Sequence, residues 1–203
     1  AVVISAVTGV EPRAVRMMEQ AAGRQRDRLI IVNKIDVPGI DLPGVLEQIQ
    51  TAFGKVCLPV NLPDAGATKV VDCFYNREGH SDFGSVDAAH RALIEQVVEV
   101  DGDFVERYLN EGDVDASELH APLEQALREG HLIPVCFVSA KTGAGVAELL
   151  DIIVKLLPNP AESNPPDFLK GEGAEAVPMA AALPDPSKHV LAHVFKVTVD
   201  PFV

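Results

Sequence analysis

A chain of 203 residues is long enough to bury a real core, as one large domain or a domain and a half. Its formal charge of −13 argues against unassisted binding to nucleic-acid phosphate, which needs clustered Lys and Arg. A ribosomal or other ribonucleoprotein partner stays open, because that contact can lie elsewhere in a larger protein. Cys57, Cys73 and Cys136 are odd in number and lack CxxC spacing. They read as buried thiols of a reducing compartment, not as a disulfide frame or a zinc site. No apolar stretch nears the ~20 residues of a membrane span, and no signal peptide is present. A cytoplasmic location and no membrane partner are the expectation.

The chain begins in a strand-like run, Ala1-Val2-Val3-Ile4-Ser5, and stops in another, Val197-Thr198-Val199-Asp200-Pro201-Phe202-Val203. Starting and stopping in mid-strand marks it, as an expectation, as an excised fragment. After 1–5, Thr8-Gly9-Val10-Glu11-Pro12 leads into a predicted helix at 13–25, with Pro12 suited to the first turn and Ala14, Met17, Met18 and Ala21 as its apolar stripe. A strand at 29–33 follows, then Asn33-Lys34-Ile35-Asp36. Breakers Pro38, Gly39 and Pro43 precede a helix near 44–53. Strand, helix, strand, helix implies βαβ units and a parallel sheet.

Residues 57–131 break that rhythm. Val56-Cys57-Leu58-Pro59-Val60 and Lys69-Val70-Val71-Asp72-Cys73-Phe74 read as short strands separated by a Pro/Gly loop, and helices are expected at 85–100, 102–110 and 116–129. The block reads as an inserted α/β subdomain between two consecutive sheet strands, 29–33 and 132–138, which can still be spatial neighbours. After the second of these comes Ser139-Ala140-Lys141, then Thr142-Gly143-Ala144-Gly145 and a helix at 146–157 ended by Pro158-Asn159-Pro160. Residues 158–188 are rich in Pro, Gly, Ala and acids without periodicity, which predicts a linker or mobile loop. His189 to Val203 opens a new β unit.

Two apolar runs each deliver a short polar motif at their carboxyl end, as a nucleotide site on a parallel sheet requires. A carboxylate at Asp36 can accept from both N1–H and the N2 amine of guanine. Adenine would present a lone pair there, a difference of roughly 1–3 kcal/mol. Asn33 can reach the N7 edge and tie neighbouring loops together, while the Lys34 stem covers one face of the base. Ser139 can hold the Asp36 carboxylate, the Ala140 N–H can donate to O6, and Lys141 can cover the other side. The bland alternative is a turn with helix-capping chemistry; it weakens once both motifs are counted.

On these motifs the chain resembles the translational GTPases, elongation factor G in particular. In that family NKxD and an SA-containing loop are the fourth and fifth guanine-nucleotide motifs, matched here by Asn33, Lys34, Asp36 and by Ser139, Ala140, Lys141. The resemblance also takes in residues 1–12, Leu58-Pro59-Val60-Asn61-Leu62-Pro63, Val70-Val71-Asp72, Arg91-Ala92-Leu93-Ile94-Glu95, Glu106-Arg107-Tyr108-Leu109, and Val194-Phe195-Lys196-Val197 with Asp200-Pro201-Phe202-Val203. It departs at Ile35, where the usual bacterial factor has Met, at Val37, where a basic residue is usual, and at the Thr142-Gly143-Ala144-Gly145 loop, as in a divergent paralogue.

The resemblance implies an α/β, three-layer parallel sheet forming the carboxyl-terminal half of a P-loop GTPase domain. The first part is 1–56, the inserted subdomain 57–131, the last strand and helix 132–160, a linker 161–188 and the start of a β-barrel domain 189–203. It implies GTP/GDP as ligand, the ribosome as partner through the parent, and the ribosomal stalk protein as a partner of the insertion. No GxxxxGK[ST] occurs, and no DxxG precedes the first strand, so phosphate cradle, Mg2+ ligands and water-positioning groups are not matched here. No catalytic or metal residue is assigned, and the isolated chain is expected not to hydrolyse GTP. The alternatives are a ribosome-protection or release-factor relative, and a partner-docking module with a degenerate nucleotide site. An unrelated doubly wound enzyme is disfavoured by the absence of GxGxxG. The histidines, His189 and His193 included, and the acidic stretch Glu95, Glu99, Asp101 and Asp103 read as structural or solvated.

Overall fold

The computed structural model describes residues 1–111, 118–159, 168–171, 173–175, 177–179, 187 and 197–199. Four strands form a parallel sheet: β1 (Val2–Ser5), β2 (Ile30–Asn33), β3 (Cys57–Pro59) and β6 (Ile133–Val138), in the order β1-β2-β6-β3. β2 and β6 lie side by side, with Asn33 opposite Val138. The two motif-bearing strands are therefore neighbours, as the sequence allows, although β3 and the rest of residues 34–132 lie between them in the chain.

Alternation along each strand sends side chains to opposite faces, and each face has its own core. On one side Val2, Ile4, Ile30, Val32, Ile133, Val135 and Phe137 pack with helices α1 (Pro12–Gly23) and α2 (Leu42–Phe53) through Ala14, Met18, Val45 and Ile49. On the other, Leu132 and Cys136 pack with α3 (Val86–Val98), α5 (His120–Glu129) and α6 (Val146–Leu156) through residues such as Leu93, Val97, Leu127 and Ile152. The result is the three-layer α/β architecture expected. Pro12 falls in the first turn of α1, Asp41 caps α2 by accepting from Gly44 N at 3.1 Å, and Ser85 caps α3 by accepting from Ala88 N at 3.2 Å. α4 (Gly102–Glu111) follows α3, and Asp101 accepts from the Asp103 N–H at 3.0 Å, so the acidic stretch supplies a helix start.

Three local expectations are corrected. The first strand of the 57–131 block does not stand apart: Cys57–Pro59 pairs in parallel with Ile133–Val135 and completes the main sheet. The Pro/Gly loop expected after it contains a strand instead, β4 (Asn61–Asp64), which forms an antiparallel hairpin with β5 (Lys69–Asp72). Pro63 sits in β4 because a two-stranded ribbon has no second partner needing its missing N–H. Within 158–188, Phe168–Lys170 (β7) and Val177–Met179 (β8) pair antiparallel around a short 3-10 turn at Gly173–Glu175, where an aperiodic linker is expected. Residues 1–164 form one compact unit and 165–203 another. The β unit expected at 189–203 lies outside the described residues except for 197–199, which are assigned to no strand. The three cysteines are free and buried, and burial pushes the Cys73 and Cys136 thiols up to about 12.

Candidate functional site

The site is built where β2 and β6 end. Asn33 closes β2, and its backbone carbonyl accepts from Ala6 N at 2.8 Å. The chain then turns through Lys34, which takes a left-handed φ of +70°. The Asn33 side chain makes that turn possible: Oδ1 accepts from Lys34 N at 2.7 Å and, across the gap, from Ala140 N at 3.0 Å. Ile35 is buried and anchors the motif from below, with its N–H donating to Val138 O at 3.3 Å.

From the other side, the fully buried Ser139 hydroxyl donates to Asp36 Oδ1 at 2.6 Å and accepts from Thr142 N at 3.1 Å. Its own N–H donates to Ala144 O at 2.8 Å, and its carbonyl accepts from Gly143 N at 2.8 Å. The Thr-Gly-Ala-Gly turn thus wraps Ser139 and leaves Asp36 oriented. Gly145, at φ +74°, starts α6 so close to β6 that a Cβ there would overlap the Phe137 carbonyl oxygen. Lys34 and Lys141 are exposed.

All six predicted site residues fall at the carboxyl ends of two adjacent parallel strands. One detail differs from the sequence reading. The Ala140 N–H already donates to Asn33 Oδ1, so in this state it is a loop tie. Asn33 takes the tying role foreseen for it. Beside the motif opens a cleft of about 400 Å3, lined by Asp36 together with apolar side chains such as Ile35, Ile40, Leu42 and Phe83. None of the other five predicted residues lines it.

Two features escape sequence reasoning. Asn61, wholly buried, donates through Nδ2 to Phe137 O at 3.2 Å and accepts at Oδ1 from Phe137 N at 2.7 Å. It mimics a neighbouring strand and holds β6 two residues before Ser139. A single amide within the otherwise apolar Leu58–Pro63 run is the signal that could have pointed to it. The second is His80, whose Nδ1 lies 2.7 Å from Asp64 Oδ1, while Lys69 pairs with Asp64 Oδ2 at 2.9 Å. Hydrogen bonds from Lys69 and then His80 hold the Asp64 carboxyl down to about 2. Asp64, His80 and Asp82 put donor atoms within 4.8 Å of one another, the only such group of potential metal ligands among the described residues. Lys69 already supplies its positive charge, and Asp82 accepts from Gly66 N at 2.7 Å. His90 is buried with Nδ1 3.0 Å from Cys73 O, a structural role; His189 and His193 lie outside the described residues.

A parallel sheet with helices on both faces, carrying NKxD and SAK motifs at adjacent strand ends, is the architecture of the P-loop GTPase class. The profile of the elongation factor Tu GTP binding domain matches residues 1–159, and the chain belongs to that family of translational GTPases. It is 30% identical over 214 aligned positions to the elongation factor G-like protein of Mycobacterium tuberculosis, in strains CDC 1551 / Oshkosh and ATCC 25618 / H37Rv. That alignment takes in 99% of this chain and 30% of the relative, so the chain spans less than a third of the length of the curated relatives it matches. Among solved structures, the ttk003000868 protein of Thermus thermophilus superimposes with a TM-score of 0.66 at 28% identity, covering 78% of this chain and 26% of that one. No helix among the described residues is long and apolar enough to cross a membrane.

Proposed function

We propose that this chain supplies the guanine-reading half of a GTP-binding, GTP-hydrolysing translation factor that acts on the ribosome in the cytoplasm and promotes translocation. The observation that carries the reading is the Ser139–Asp36 hydrogen bond, which aims a half-buried carboxylate from the end of one strand through a buried hydroxyl at the end of the next. Asp36 accepts from guanine N1–H and N2, and Asn33 ties the two loops. Lys34 and Lys141 lie over the faces of the base.

Phosphate cradling, Mg2+ and the attacking water belong to parts of the parent that this sequence does not match, so the isolated chain reads the base and does not hydrolyse GTP. When bound, the metal neutralises charge on the β- and γ-phosphates. Residues 1–56, the sheet strand Cys57–Pro59 and 132–159 form the GTPase part, and the rest of the 57–131 block is the insertion that meets the stalk protein. The test is competition binding with the intact parent. GDP should displace bound GTP far better than ADP does, and equal displacement by ADP overturns the reading.

A further inference from the structure

At the amino ends of β2 and β6, away from the motif-bearing ends, a cavity of about 420 Å3 is lined by Ala22, Gln25, Arg26, Arg28, Arg128 and Glu129. Three guanidinium groups in one cavity stand out in a chain of formal charge −13. The cavity is a product of backbone geometry. α1 ends at Gly23, the chain turns through Gln25 at φ +50°, and Arg26 N donates to Ala21 O at 2.9 Å. Opposite, Gly130 ends α5 in the left-handed region at φ +78°, and a Cβ on it would overlap the Arg28 guanidinium. The glycine therefore leaves room for Arg28 against the α5–β6 turn.

The usual reason for arginines at helix carboxyl ends is capping of the last carbonyls. That does not account for Arg26 or Arg28, whose side chains make no hydrogen bond or ion pair among the described residues. Arg128 is paired with Glu124 at 3.2 Å. The acidic residue of the lining, Glu129, already accepts from Gln125 at 3.0 Å and lies 3.3 Å from His131. Asp27, between the two arginines in sequence, does not line the cavity. Each guanidinium brings about five N–H donors in a planar fork, so Arg26 and Arg28 make the half-buried wall donor-rich, with Glu129 the one carboxylate in the lining among the described residues.

We propose that this cavity binds the phosphoryl group of a small soluble molecule. A carboxylate has two oxygens and satisfies one fork, whereas a tetrahedral phosphoryl dianion offers oxygens to two forks in different planes. The volume suits a small ligand, and the net negative charge of the chain opposes a long polyanion such as RNA. The site is separate from the guanine motifs and does not depend on the reading given to them.

The test is isothermal titration of the full chain with pyrophosphate, in a phosphate-free buffer of low ionic strength, alongside a short RNA duplex. Saturable binding of one pyrophosphate is expected, weakened roughly ten- to hundredfold by Arg28→Gln, the scale of a lost charge-assisted hydrogen-bond pair. Ala22→Glu, which sets a carboxylate at the exposed rim and keeps every arginine, should weaken it too. Lys155→Gln, a distant loss of the same charge, should not. Pyrophosphate binding that is absent, or that survives both Arg28→Gln and Ala22→Glu unchanged, overturns the proposal. So does binding of the RNA duplex without pyrophosphate binding.

Discussion

Ser139 and Asp36 stand 103 positions apart and meet through a 2.6 Å hydrogen bond, with Ser139 buried. The bond fixes the Asp36 carboxylate with a group that also secures its own loop, because the same Oγ accepts from Thr142 N. Ser139→Ala removes both interactions and leaves the Thr142 N–H and one carboxylate oxygen with one partner fewer. A loss of about 1–3 kcal/mol is expected, read by urea denaturation of the chain. In the intact parent, guanine-nucleotide affinity should fall as well.

Asn61 acts on the same strand end from the hairpin side. Asn61→Leu keeps the volume apolar but leaves the Phe137 N–H and carbonyl without their side-chain partner in a buried setting. Each group costs roughly 1–3 kcal/mol when unsatisfied, so this substitution should destabilise the chain more than Ser139→Ala does. Denaturant midpoints of the two variants compare them directly.

Gly145→Ala tests the close approach of α6 to β6. Alanine at φ +74° carries left-handed strain of roughly 1–3 kcal/mol, and its Cβ would also meet the Phe137 carbonyl oxygen. Gly143→Ala, at φ +85° with open space around it, carries the strain without the overlap. Thermal unfolding should rank Gly145→Ala as the more damaging of the two.

Asp64 sets an acid limit on the hairpin. Its folded-state carboxyl is held to about 2, below the ordinary value near ~3.9. A depressed carboxylate contributes stability that is fully present above the unfolded value and lost as pH falls through the folded one. The stability gap between the wild-type chain and Asp64→Asn should therefore be constant above about pH 5 and close between about pH 4 and 2. A gap that stays constant down to pH 2 would mean the Lys69 and His80 contacts do not lower this carboxyl.

How far the sequence can be read follows from the range of the interactions. β2 and β6 are readable because each is an apolar run punctuated by a polar motif, and the sequence allows the adjacency that their pairing shows. Chemistry alone pairs Asp36 with Ser139, and the structure brings them together. β4 is hidden by Pro63, which signals a loop unless the strand has only one partner. β7 and β8 are three residues each, too short to show alternation among prolines and glycines. The Asn61–Phe137 clamp and the His80–Asp64 contact join segments whose proximity depends on the finished fold, so the lone amide at Asn61 can mark a buried polar group but no local pattern names the partner of either. The sequence offers the Ala140 N–H to the base because the reach of Asn33 across the gap depends on the loop geometry.

The most direct test of the central claim is the base preference of the intact parent carrying Asp36→Asn. An amide at this position can donate to the extra carbonyl of xanthine and no longer accepts from both guanine nitrogens. The account predicts that GTP binding weakens and XTP binding strengthens, so that preference moves towards XTP. An unchanged preference for GTP would contradict it and remove Asp36 as the base reader.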